Sequence, residues 1–579
     1  MAPVRAPDSG PGDVAAADVG PGGGPPVGGP GDFPVIAPRL YGQLWHGVLL
    51  GLLSSAAGLA AAELVVGLVR GSASPVVPVG QEVIDRVSPS VKDWAIETFG
   101  TADKAVLVLG SLIVLAVIGS VVGILTVRGH RTEAYVVALC TGLIGLLAVL
   151  QRPAPSIGKL APAMIGTAVS ITALWWLGRA LAISPHDRAK THPPARAGDQ
   201  TSSAPALGEP AQSMTGLNRR GFLYGAMTVG SASLVTAGFG RLLQRRFEID
   251  DERAELSLPD PVSSSPPSGS GAPSSPAGEF DFGIDGISPF VTPVEDFYRI
   301  DTAIVVPQVS RDSWSLKIGG MVDRELELTF DDLLAREQVE RYVTLSCVSN
   351  PVGGDLVGNG VWQGVMLADV LREAGIQAGA EQLVSRSIDG WTCGTPVAAI
   401  MDGRDAMLAV GQNGQPLRAD HGYPVRMVVP GLYGYVSATK WVTEIELTTW
   451  DAFDAYWVPR GWAKEAPVKT MTRIDRPRHN SKPATGPLEI GGVAWAVHRG
   501  ISAVQLRIDE GEWLDAELAG VPSDDTWRQW RYTWDTTPGE HFIEARAADG
   551  SGVMQEEASM SVAPNGAQGY HRVRVNVPG

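Results

Sequence analysis

Apolar and polar residues alternate on two length scales along this 579-residue chain, long in its first part and short in the rest. Segments 47–69, 105–127, 134–150 and 160–183 are apolar all round rather than along one stripe. That is the pattern of helices facing lipid, not of helices on a soluble core. Each approaches the roughly 20 residues a helix needs to cross a bilayer. A fifth run, 222–239, is milder and rich in Gly, Ala and Ser. The pattern predicts an N-terminal all-α transmembrane bundle of about five helices. From 279 to 451 the runs are short and mixed: 303–306, 314–318 and 425–429 look like strands. Thr329-Phe-Asp-Asp-Leu-Leu-Ala-Arg-Glu337 carries a helix-start signature, and 367–374 looks like a helix. After about 465, alternating strands with turn signals at Glu510-Gly511 and Asp549-Gly550 predict an antiparallel β-sandwich. Trp527 and Trp530, three apart on one strand, are expected to face opposite sides.

Residues 1–38 are Pro, Gly, Ala and Asp with almost no large apolar side chain, so a disordered N-terminus is placed at 1–40, with no ordinary signal peptide. Four membrane helices are then placed in 41–184, a cytoplasmic linker in 185–217, a fifth helix in 218–243 and a Pro/Ser-rich linker in 244–278. Two head domains follow, 279–460 and 461–579. Asn218-Arg219-Arg220-Gly221-Phe222-Leu223 resembles a twin-arginine export signal placed internally. The alternative is a pair of arginines that simply holds a helix at the cytoplasmic face. Arg128, Arg131, Arg188, Lys190, Arg196, Arg219 and Arg220 carry the positive excess and belong inside, whereas the acidic 71–104 loop belongs outside. Five crossings from a cytoplasmic N-terminus place the head outside, and 259–276 reads as a tether lifting it off the membrane.

A net charge of −16 with no basic stripe excludes nucleic-acid binding. Three cysteines give no disulfide framework. Glu63 near a membrane-helix end reads either as an ion site or as a packed, snorkelling carboxylate. Only His46 and His130 are near the membrane helices, one at an edge and one in a loop, so no membrane haem is expected. Cys140 sits in an apolar span, which leaves Cys347 and Cys393 for the aqueous head. Of these, Cys347 stands where Arg341-Tyr-Val-Thr-Leu-Ser-Cys-Val-Ser-Asn350 runs from a strand into a glycine-rich loop. A thiolate delivered that way can ligate a soft metal or act as a nucleophile.

Phe297-Tyr-Arg-Ile-Asp301, Thr344-Leu-Ser-Cys-Val-Ser-Asn350, Gly360-Val-Trp-Gln-Gly-Val365, Asp389-Gly390, Asp420-His-Gly-Tyr-Pro-Val-Arg-Met-Val-Val-Pro-Gly431 and Lys440-Trp441 follow in order. Together they resemble the sulfite-oxidase family of molybdopterin enzymes, and Ile490-Gly-Gly-Val-Ala-Trp495 and Glu544-Ala-Arg-Ala-Ala-Asp549 resemble its immunoglobulin-like dimerisation domain. The resemblance covers about 285–575 and not the membrane part. It implies a mixed α+β cofactor domain followed by a β-sandwich, with Cys347 as the sole protein ligand of molybdenum held by a pyranopterin dithiolene. It further implies that Arg299, His421, Arg426 and Lys440 neutralise the cofactor phosphate, with backbone N–H groups of 431–437 up to Ser437 completing the cradle. Asp389 would accept from the pterin N–H groups, and Asp301 stands where some relatives carry a histidine. The reaction implied is two-electron oxygen-atom transfer, in a homodimer formed through the last domain. The twin-arginine resemblance implies that the head is exported already folded, as a cofactor-loaded protein needs to be.

Two positions depart from the family. Sulfite-oxidising members carry an arginine where this chain has Pro351, and a tyrosine where Trp391, Thr392 and Cys393 stand. Both losses speak against sulfite, because a small oxyanion needs fixed cations. Cys393 reads as a half-buried strand cysteine or as a thiol approaching the metal, and Trp441, Trp450, Tyr456, Trp457 and Trp462 as packing at the junction of the head domains. No haem domain, CxxC pair or iron–sulfur cysteine array is present, so electrons pass through a separate protein or a quinone-linked subunit. An S- or N-oxide reductase is the rival within enzymes, and a surface binding protein that kept the fold without the cofactor is the rival outside them.

Overall fold

The computed structural model describes residues 38–88, 103–152, 157–181, 219–245, 247–262 and 279–579, with single residues between 91 and 99. The expected disordered N-terminus up to 37, the cytoplasmic linker 185–217 and the linker stretch 263–278 lie outside the described residues. Helix α1 (Pro38–Leu68) is followed by a short helix α2 (Val76–Arg86), then α3 (Asp103–Val127), α4 (Arg131–Leu150), α5 (Ile157–Leu181) and α6 (Arg219–Arg245). All but α2 are long and apolar enough to span a bilayer. The centre is α1, packed against α3, α5 and α6. A methyl group on Gly51 would overlap the Gly119 carbonyl, so α1 and α3 approach along faces stripped of side chains. Glu63 Oε2 accepts from Gln244 Nε2 at 3.0 Å, which makes it a packed carboxylate. The amphipathic α2 lies in what the sequence showed only as an acidic loop.

The stretch 247–262 departs from its expected place in a flexible linker. Ile249 and Leu256 are buried in the head's core. In α7 (Asp250–Glu255), Glu252 accepts from Tyr423 Oη at 2.7 Å, and Gln363 Nε2 donates to the Pro259 carbonyl at 2.6 Å. The head therefore begins directly after α6.

Ten strands build the first head domain: β1 (Ser315–Gly320), β2 (Leu326–Thr329), β3 (Val339–Ser346), β4 (Val357–Met366), β5 (Gln382–Ser387), β6 (Thr392–Pro396), β7 (Met407–Gln412), β8 (Gln415–Pro416), β9 (Arg426–Val428) and β10 (Val442–Thr448). One sheet runs β2-β1-β10-β5-β6 and is mixed, because β1 and β10 are parallel. The other runs β3-β4-β7-β8 with β9 on β7. The helix-start signature is a capping box in which Thr329 and Asp332 exchange hydrogen bonds, opening α8 (Phe330–Leu334). Helix α9 (Leu367–Ala374) covers the second sheet with an apolar face. Residues 303–306 are not a strand.

The last domain is two antiparallel four-stranded sheets. The first is β11 (Met471–Arg476), β12 (Gly486–Trp495), β16 (Arg528–Thr536) and β15 (Glu517–Leu518), in that spatial order. The second is β14 (Leu514–Asp515), β13 (Ile501–Ile508), β17 (Gly539–Asp549) and β18 (His571–Val577). Trp530 fills the core between them, whereas Trp527 packs into the core of the first domain. Trp527 Nε1 donates to the Phe290 carbonyl at 2.8 Å, so Trp527, one residue before β16, and Trp530 within it serve different cores.

Candidate cofactor site

Cys347 stands one residue past β3, where a tight loop replaces the ladder. Its N–H donates to Leu356 O at 2.9 Å, Asn350 N–H returns to Cys347 O at 3.1 Å, and Asn350 Oδ1 accepts from Leu356 N at 3.0 Å. The loop so braced turns the buried Sγ onto the wall of a cleft of about 950 Å³, a volume that includes the mouth. Burial raises the thiol's pKa, with hydrogen bonds from Ser349 opposing. A soft metal would displace that proton.

Arg426, at the start of β9, projects into the same cleft. It is 5% exposed, Nη1 donates to His421 O at 3.1 Å, and its guanidinium lies 4.8 Å from the centre of the Trp362 ring. Nε has no partner, and among the described residues no carboxylate is within ion-pair distance. Burial pushes its pKa down to about 10, so it stays charged. Lys440 reaches in from the other side of Gly422. Its Nζ donates to Asp301 Oδ2 at 2.8 Å and to Asp420 O at 3.0 Å. Burial lowers its pKa to about 8, against the pull of Asp301. Gly422 has φ +109, and a Cβ there would sit 3.1 Å from side-chain carbons of both Arg426 and Lys440. Only glycine lets the two cations converge.

Asp301 lines the cleft, nearly fully buried. Burial would raise its pKa, but Lys440 and Lys104 overcome this and hold it well below the usual carboxylate range. Arg299 does not line the cleft: it sits behind Asp301, Nε to Oδ2 at 3.0 Å, and is partly exposed. His421 lines it, stacked edge-on to Phe297 with centroids 6.0 Å apart. Burial and then Arg426 push its pKa down to about 3, so it enters as a neutral ring and not as the cation expected for phosphate. Asp389 lines the rim, its Oδ1 accepting from Trp391 N at 3.2 Å.

Ser437 is turned away, its hydroxyl donating to Leu432 O and Tyr433 O at 3.0 Å. In the expected backbone cradle, the N–H groups of Tyr433, Val436 and Ser437 already serve main-chain carbonyls, and Gly434 and Tyr435 are the members that line the cleft. Cys393 is fully buried on β6 and off the cleft wall. The aromatic cluster is not confined to a domain junction: Trp441, Trp457 and Trp462 line the cleft, and the Tyr456 hydroxyl bonds to Asp85 of α2. Two groups escaped sequence reasoning. Tyr298 places a partly buried phenol in the cleft, its pKa raised by burial and then by Cys347. Lys104, at the start of α3, reaches Asp301 from the membrane bundle. Tyr298 lies inside a quoted motif, but nothing near Lys104 signals its role.

The profile described as "Oxidoreductase molybdopterin binding domain" matches residues 303–457. The chain is similar to an uncharacterized oxidoreductase, YuiH, of Bacillus subtilis, 33% identical over 149 residues that cover 26% of this chain and 72% of that protein. It is similar to the sulfite oxidase of Gallus gallus, 29% identical over 327 residues, 48% of this chain and 69% of the relative. An NADH nitrate reductase of Spinacia oleracea is 33% identical over 196 residues, 29% of this chain; the match spans 21% of that protein's own length.

Proposed function

Because the chain belongs to the sulfite-oxidase family of molybdopterin oxidoreductases, we propose that it is a membrane-anchored enzyme that carries out two-electron oxygen-atom transfer on a small or sulfur-containing substrate. One observation carries the reading. A buried arginine with no acidic partner among the described residues stands in the same cleft as a buried thiol. An uncompensated buried cation is expensive, and an anionic ligand relieves it. Arg426, Lys440 and the cations behind them outnumber the carboxylates Asp301 and Asp389, which fits a phosphate-bearing cofactor. The thiol fits its soft metal.

Cys347 would hold the molybdenum, Arg426 and Lys440 the phosphate, and His421 would add a neutral hydrogen-bonding ring. When bound, the group supplies the two-electron redox chemistry. The chain's part is to orient it and to shape the space beside it. Asp301 holds Lys440 in place. Tyr298, kept protonated by burial, presents an O–H donor on the cleft wall.

The substrate is read from the walls. Pro351 is exposed and off the cleft, so no cation replaces the arginine of sulfite-oxidising members there. Tyr435, Trp457 and Trp462 make that part of the lining aromatic. These features favour a neutral or bulkier sulfur compound over sulfite, and also support the second reading, an S- or N-oxide reductase. Electrons would pass through a separate membrane or quinone-linked partner, and the sandwich would serve a homodimer. Placement of the head outside the cell is supported by its contact with Asp85 of α2, at the bundle end opposite the Arg128–Arg131 loop.

The test is molybdenum and pterin content of the full chain from a cofactor-competent host, followed by turnover of sulfite, sulfoxides and N-oxides with a reversible artificial electron carrier. Stoichiometric metal in wild type, lost in Cys347→Ser, is expected, with sulfoxides or N-oxides turned over well ahead of sulfite. Metal-free wild-type protein would leave the cofactor-less binding protein as the better account.

A further inference from the structure

We infer that the membrane bundle completes the cofactor site, with Lys104 of α3 as a positioning residue for Asp301 and Lys440. This rests on the function proposed above. Lys104 Nζ donates to Asp301 Oδ1 at 2.8 Å, to Asp301 O at 3.0 Å and to Ala303 O at 2.8 Å. Three acceptors match the three N–H bonds of an ammonium group. The other carboxylate oxygen, Oδ2, takes Lys440 Nζ at 2.8 Å and Arg299 Nε at 3.0 Å. One carboxylate, 5% exposed, thus couples a membrane-helix lysine to a lysine of the cleft. Residues 303–306 look like a strand in sequence because they are apolar. The Ala303 carbonyl bonds instead to this ammonium, with the Ile304 side chain against Gly80 of α2.

A second clamp lies on the cleft's aromatic side. Asp85 of α2 accepts from Tyr456 Oη at 2.6 Å and from Arg460 Nη2 at 3.4 Å. Arg152, just past α4, holds Asp85 and Glu82 at 3.1 and 3.0 Å. Arg460 lies over the Tyr456 ring at 3.7 Å, and that ring meets Trp457 edge-on at 5.1 Å. Asp301 and Trp457 both line the cleft, so both clamps act on its wall. A bundle that served only as an anchor would need no more than a chain connection. Bringing a nearly buried carboxylate to a membrane-helix lysine is costly unless the geometry is specific. The device fixes where the cleft's cations stand, and it is released if head and bundle separate.

The experiment uses the full chain in lipid nanodiscs and compares wild type, Lys104→Met and Lys104→Arg. Cofactor release is followed by pterin fluorescence after dilution, the metal by its Mo(V) paramagnetic spectrum, and docking by hydrogen exchange over 298–304 and 456–460. Lys104→Met is expected to release the cofactor about tenfold faster, to shift the spectrum and to raise exchange over 298–304. Lys104→Arg is expected to restore most of each. A molybdenum-loaded Lys104→Met variant that matches wild type in release, spectrum and exchange overturns the inference and leaves the proposed function standing. Equal damage in the Arg variant also overturns it. Wild type lacking molybdenum overturns the proposed function itself, whatever the exchange shows.

Discussion

Replacing Arg426 by Met is expected to act in opposite directions on the cofactor-free and cofactor-loaded protein. The side chain is almost wholly buried and has no carboxylate partner among the described residues. Its pKa falls from the ordinary 12.5 to about 10 because of burial. That drop corresponds to about 3 kcal/mol against the charged form. The hydrogen bond to His421 O and the Trp362 ring return part of this, about 1–2 kcal/mol. Met keeps the apolar packing and carries no charge. Cofactor-free Arg426→Met should therefore be more stable than wild type by about 1–2 kcal/mol, a rise in Tm of about 2–8 °C. In the loaded protein the same change removes a buried counter-charge to the phosphate, a loss of about 2–5 kcal/mol, so retention should weaken at least about 30-fold. The assay is thermal unfolding of both proteins from hosts with and without cofactor synthesis, with pterin content alongside. A cofactor-free Met variant that melts below wild type, together with undiminished pterin, would refute the argument that the arginine waits for an anion.

Two further outcomes follow, one from the last domain and one from the cleft. His498 Nδ1–H donates to Asp525 Oδ1 at 3.0 Å, and that hydrogen bond raises its pKa above the ordinary 6.5. A raised value stabilises the fold fully below about pH 6.5, and the contribution fades as pH climbs through the folded value. The difference in Tm between wild type and His498→Gln should accordingly be largest in mild acid and close as pH rises. A gap that widens toward alkaline pH would contradict it. Gly422→Ala introduces a Cβ at φ +109, against Arg426 and Lys440. It should cost about 1–3 kcal/mol in an unfolding titration and lower pterin content even in molecules that remain folded.

The site was legible in the sequence where chemistry is carried by short motifs and illegible where it is carried across the chain. Cys347, Arg426 and Lys440 stand in recognisable runs and do meet in one cleft. His421 was found, but its charge state was not, because that depends on burial and on Arg426, which only the fold brings together. Ser437 carries the right residue type but spends its hydroxyl on the turn. Lys104 is distant in sequence and unremarkable in context, and α2 hides in a loop whose net charge masks its apolar stripe. The span 303–306 misled because an apolar tetrapeptide gives no sign of whether its backbone pairs with a strand or with an ammonium group. Alternation did reveal the sandwich, since its strands bury one face.

Strand β3 ends its sheet, and an end strand normally exposes unpaired backbone groups that invite other chains. Here Thr344 N–H donates to Asp525 O at 2.9 Å, and its hydroxyl accepts from Trp527 N at 2.7 Å, both partners belonging to the last domain. The sandwich is thus a cover for the strand that, three residues on, delivers Cys347. A cut near residue 461 would not free an independent catalytic domain. It would open the one ladder edge beside the cysteine, and the severed fragment should aggregate through the strand that made it an enzyme.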